Sequence, residues 1–333
     1  MADVRAHRQP GELESWGVSP ALESLYGVYA RALNLGVLER CLASLDALTS
    51  ARGDRDEIAS LAPVVRGSRW TTPDLSFAYH IGLSTGTADR ARCAAVVDQL
   101  VALEEPTPPS RRFVVDADAP WIAFALERFA ADERNEGGDK LMASVQGQAR
   151  DFAHLDAAFA LLTEAWPEMA FEVDLLVRDY VWSAMVRGVG TPVGSLVQAF
   201  GAVFLPCGVG RLGLLEALVH ETTHLDVTMR LALDNLVLNR ETIGSSPVRD
   251  HDRPLTRILH VAMVSSRVHH ALQRCRELLL DGELADCGAR QQEAARQLVH
   301  SLETLNERAE WTSTGARLAQ SLNDYAATEI DAP

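Results

Sequence analysis

The stretch GLLEALVHETTHLDVTMRLALDN, residues 213–235, constrains this chain more than any other. It sets two histidines four apart in an otherwise apolar run, where Leu212, Leu215, Leu218, Val219, Leu225, Met229 and Leu233 recur at three- and four-residue steps. That period is helical, and on a helix positions i and i+4 stack on one face. His220 and His224 can then direct both imidazoles at one ion, with bonds of about 2.1 Å. The pattern His220-Glu221-Thr222-Thr223-His224 is therefore a candidate metal motif. In the absence of an ion the same residues would be core histidines, and each of their polar atoms would need a partner inside the fold.

Around this helix the chain reads as mainly α with a small β component near the metal site, the HExxH helix being joined by a second ligand-bearing helix. Ala, Leu and Val dominate while aromatics make up 6%, which favours helix over strand. Helical periodicity runs from about residue 21 to 103, and the prolines of EEPTPPSRR (104–112) mark a linker. We expect a helical N-terminal region over 1–105 and the metal-site domain over 106–333, either as two units or as one intimate domain. Within the latter, FVVDAD suggests a short strand, residues 120–134 and 140–165 two helices, and GAVFLPCG (201–208) a strand. Residues 169–186 fit a strand or a buried helix equally well. A loop over 239–254 precedes a long helix from Leu255, and two further helices follow over 289–311 and 314–328.

The formal charge of −15 excludes a phosphate-backbone binder, so no nucleic-acid partner is expected. Five cysteines without a CxxC pair read as reduced thiols. The N-terminal residues lack an apolar signal segment, and the uncharged run 188–210 is broken by glycine and proline. Both point to a cytoplasmic protein with no membrane partner.

Two helix histidines leave a third ligand to be found among Glu241, His251, His260, His269 and His270. His260, in LTRILHVAM, lies on a helix among apolar neighbours and ranks first, while Glu241 is the choice for a glutamate-type zinc site. His224-Leu225-Asp226 also matches H-x-D, but on a helix i and i+2 point about 200° apart and cannot share an ion. Arg253 and Arg267 fall on the face of His260, seven residues to either side, which suits a metal with an anionic co-ligand.

LLEALVHETTHLD followed by SSPVRDHDRPLTRILH resembles the HExxH-motif family found beside ribosomally made peptide natural products. The resemblance covers roughly residues 170–280. It implies an Fe(II)/2-oxoglutarate-dependent dioxygenase that hydroxylates a β-carbon in a peptide. By it, His220, His224 and His260 would hold the iron, and Arg249, Asp250, Arg253 and Pro254 match the intervening loop. Arg249, Arg253 and Arg267 are then candidates for binding 2-oxoglutarate, and Glu221 for a catalytic role. Where the family carries aromatics, this chain has Ser245-Ser246-Pro247-Val248. The H-E-x-x-H helix fits a zinc metallopeptidase as well, with Glu221 as general base and the AVFLP strand receiving an extended peptide. A non-catalytic, peptide-binding helical protein is the remaining alternative.

Overall fold

The computed structural model describes residues 15–19, 21–46, 58–82, 90–104, 112–114, 119–135, 141–187 and 192–330. In chain order these form α1 (Leu22–Asp46), α2 (Ala62–Gly67), α3 (Pro73–Phe77) running into a π-helical turn (Ala78–Gly82), α4 (Arg90–Val101), β1 (Arg112–Phe113), α5 (Pro120–Asn135) and β2 (Leu141–Ser144). Next come α6 (Ala149–Ala165), α7 (Pro167–Leu176), β3 (Asp179–Arg187), β4 (Ala202–Pro206) and α8 (Arg211–Leu233). The chain ends through β5 (Ile243–Gly244), β6 (Arg253–Pro254), α9 (Leu255–Cys275), α10 (Asp281–Arg308) and α11 (Ser313–Glu329). The protein is mainly helical, and among the described residues no helix is long and apolar enough to cross a membrane.

These elements group into two compact units that interleave along the chain. One takes in residues 23–147 and 175–207, the other 15–22, 148–174 and 208–330. None of these boundaries falls at residue 105, where the proline-rich stretch suggested one. Of that stretch, residues 105–111 lie outside the described residues.

The first unit is built on β3, which pairs in parallel with β1 and β4 and antiparallel with β2. Its core gathers Trp121, Ile122, Val181 and Phe204 from α5 and the sheet. Several sequence expectations are corrected here. Residues 141–144 form a strand rather than the start of a helix, which begins only at Ala149, where Gln148 and Asp151 close a reciprocal cap. The ambiguous segment 169–186 contains both structures: α7 ends at Leu176 and β3 follows from Asp179. Of the expected FVVDAD strand only Phe113 lies in a strand, Arg112–Phe113; Val114 follows it, and residues 115–118 lie outside the described residues.

The second unit is a helical assembly around α8 and α9. Val227, Leu255, Ile258, Leu259 and Met263 pack against Leu298, Leu302 and Leu305 of α10 and Leu318 and Leu322 of α11. α8 is buried along most of its length, with Glu221, Thr222, Thr223, Asp226 and Arg230 buried beside its apolar residues. The loop expected over 239–254 holds the two-residue strands β5 and β6, which pair directly before the helix of His260. α10 starts at Asp281, ahead of the expected start near residue 289. The β structure in this unit is thus limited to short pairings, and the larger sheet belongs to the other unit.

Candidate metal centre

Entry into α8 is fixed by α6. Asp151 accepts hydrogen bonds from Gln148 N and Gly208 N, both at 2.9 Å. His154 Nδ1 donates to Val209 O at 2.9 Å. Gly208 has φ +77°, a turn conformation that glycine adopts without strain. This anchored turn sets the rotation of α8, and hence the direction of His220 and His224.

The two motif histidines and His260 of α9 meet. His224 Nε2 lies 3.2 Å from His220 Nε2, and His224 Nδ1 lies 3.1 Å from His260 Nδ1. Two nitrogens bound to one ion at about 2.1 Å would themselves be about 3.0–3.4 Å apart. The Nε2 pair therefore stands at ligand spacing. His260 addresses the opposite nitrogen of His224, its ring stacked at a centroid distance of 5.4 Å. The three rings form a row rather than a ring of donors. Among the described residues, no three His, Cys, Asp or Glu side chains converge on one ion as they stand.

Burial favours the neutral form of all three imidazoles, the form that ligates metal. Burial pushes His220 down to about 4, although 36% of its side chain is exposed. Burial also lowers His260 to about 3, with Arg257 and then Arg253 adding to the effect. His224 falls well below its usual range through burial, its two histidine neighbours and the same arginines.

Glu221 is buried, with Oε1 3.9 Å from His220 Nε2. Arg253 is half-buried on β6. Arg249 sits in the preceding turn, also half-buried. Arg257, which the sequence reading did not single out, is exposed in the first turn of α9. Its spacing of three from His260 places both on one helix side, a signal present in the sequence. A cation near a helix N-terminus opposes the helix dipole, and Arg257 and Arg253 together act on His224 and His260 here.

Arg267 requires a correction, for its guanidinium does not face the histidines. It is fully buried and binds Glu172 Oε1 at 2.6 Å, Asp226 Oδ2 at 2.7 Å, Trp16 O at 2.8 Å and Gly17 O at 3.0 Å. Seven residues advance about 10 Å along a helix, which separates Arg267 from His260 along α9 and leaves its guanidinium in the core. Asp226 is likewise committed, to Arg267 and to Arg230 at 2.8 Å. Burial alone would raise the Asp226 carboxyl, but the two guanidinium groups hold it low. Burial pushes Glu172 up against the pull of Arg267.

The other third-ligand candidates are placed elsewhere. Glu241 is 76% exposed and pairs with Arg240. His251 is exposed. His269 Nδ1 shares a hydrogen bond of 2.7 Å with Tyr325 Oη. His270 packs edge-on against Trp16 and Trp166. The AVFLP strand is also corrected: β4 is buried throughout, pairs with β3 along its length, and at Phe204 exchanges hydrogen bonds with Gly194. It offers no open edge at Phe204 for an extended peptide.

His270 gives a pH prediction apart from the site. Burial, aided by Arg274 and opposed by Glu329, lowers it to about 4. The unfolded chain takes that proton near pH 6.5 and the folded chain does not. The contribution is therefore complete above about pH 6.5 and is lost as pH falls toward 4, amounting to about 1–3 kcal/mol. His270 Nδ1 has no hydrogen bond, so His270→Phe should keep the neutral-pH stability. Urea unfolding from pH 7 to 4.5 should then show a slope shallower by about one proton.

No family model matches the chain, and no curated protein matches it.

Proposed function

We propose that the chain is an Fe(II)/2-oxoglutarate-dependent oxygenase that hydroxylates an amino-acid side chain, at the β-carbon, in a peptide of a peptide natural product pathway. The observation that carries this reading is the meeting of His220, His224 and His260, the first two with Nε2 atoms 3.2 Å apart, beside Arg253 and Arg257. His220 and His224 would hold the metal, with His260 as third ligand after its ring, or that of His224, turns. With 2-oxoglutarate and dioxygen, iron supplies the oxidising chemistry: one oxygen atom enters the peptide C–H bond as 2-oxoglutarate becomes succinate and carbon dioxide.

The chain's own residues bind and orient. Arg253 and Arg257 would pair with a carboxylate of 2-oxoglutarate, since a guanidinium binds a carboxylate through two parallel hydrogen bonds. Arg249 borders the same turn. Arg267 has no part in this, being committed to the core. Glu221, beside His220, would steady that ring or a ligand of the metal.

The test is an anaerobic titration with Fe(II) and 2-oxoglutarate. The weak visible charge-transfer band of an iron–2-oxoglutarate chelate should appear, and Arg253→Ala with Arg257→Ala should raise the 2-oxoglutarate needed by about 10-fold or more. A chain that gives no band but binds zinc and cleaves peptides is instead a metallopeptidase. One that binds neither metal is a non-catalytic partner.

A further inference from the structure

A cleft of about 460 Å³ lies along α11, away from the three histidines. One wall is aromatic. Trp16 meets Tyr325 at a centroid distance of 4.1 Å, and its position is fixed twice over. Its carbonyl accepts from Arg267, and its amide donates to Ser321 Oγ at 3.4 Å. Tyr325 is tied to His269. Both rings are therefore held in place before any ligand arrives.

The polar groups of the cleft are likewise carried by α11: Arg317, Gln320 and Asp324 fall at three- and four-residue steps on one face, and Glu329 lies one turn beyond Tyr325. Gln320 donates to Asp324 and Gln273 to Glu329, so each carboxylate meets a neutral amide. Arg317 lies 12 residues before Glu329, about 18 Å along the axis. The cleft is polarised, with its negative end beside the aromatic wall. Glu329 acts on that wall, since it joins burial in raising the Tyr325 hydroxyl. Aromatic faces with carboxylates at one end favour a cation with an apolar stem. The net charge of −15 favours a basic partner in the same sense.

We infer that this cleft is a binding site for a lysine or arginine side chain of a peptide, its stem laid along the half-buried Trp16, which Tyr325 backs from the core, and its charge toward Asp324 and Glu329. No member of the histidine cluster lines it, so the site stands whether or not the metal reading does.

The test uses the full chain without metal and two blocked tetrapeptides, acetyl-Ala-Arg-Leu-Ala-amide and its Glu-for-Arg counterpart, titrated by calorimetry and tryptophan fluorescence. The arginine peptide should bind saturably, at least about 10-fold tighter than the glutamate peptide and more weakly as salt rises. Asp324→Asn with Glu329→Gln should weaken it by about 10-fold. Both positions are exposed, and the single Asp324→Asn variant serves if the pair disturbs folding. Equal affinity for the two peptides, no saturation, or binding untouched by the substitutions would overturn the assignment.

Discussion

Arg267→Ala is expected to lower the unfolding free energy by about 3–5 kcal/mol, measured by urea denaturation at neutral pH. Arg267, Glu172, Asp226 and Arg230 are all fully buried side chains. Removing Arg267 strands Glu172 and leaves Asp226 with one partner in a medium that cannot solvate either charge. It also releases Trp16 O, since Arg267 joins residues 16 and 17 to α7, α8 and α9. The control is Arg240→Ala, an exposed pair member, which should change stability by less than about 0.5 kcal/mol. Replacing Arg267, Glu172 and Asp226 together by apolar residues of similar volume should recover much of the loss, because the cost lies in stranding charge. An Arg267→Ala protein as stable as the parent would mean that the buried network is not formed.

The second large effect concerns the metal. His220→Ala or His224→Ala should weaken divalent metal binding by at least about 100-fold, beyond what loss of a supporting residue produces. His260→Ala should do the same if it completes the set, whereas Glu241→Ala should have no effect, since Glu241 points into solvent beside Arg240. The His220 side chain is partly exposed, so its replacement should leave the fold intact.

The sequence made α8 legible because apolar residues return at helical steps on both sides of the polar run His220–His224. His260 was legible for the same reason, a lone histidine among apolar neighbours on a strongly periodic helix. Arg267 was misread because a helical wheel gives direction and not depth, and nothing local to it names Glu172 and Asp226 as partners. Arg257 was passed over although its spacing was as informative as that of Arg253. The strand at 141–144 was hidden because Leu-Met-Ala-Ser suits a helix, and only its pairing with 183–187 decides otherwise. The interleaving of the two units depends on long-range packing, which no composition break records.

The central claim is that His220, His224 and His260 share one divalent ion, and equilibrium dialysis against Zn(II) or, anaerobically, Fe(II) tests it most directly. One ion per chain is predicted, lost in each single histidine-to-alanine variant and retained in Glu241→Ala. Binding below one ion per chain in the parent, or unchanged in the three histidine variants, would contradict it.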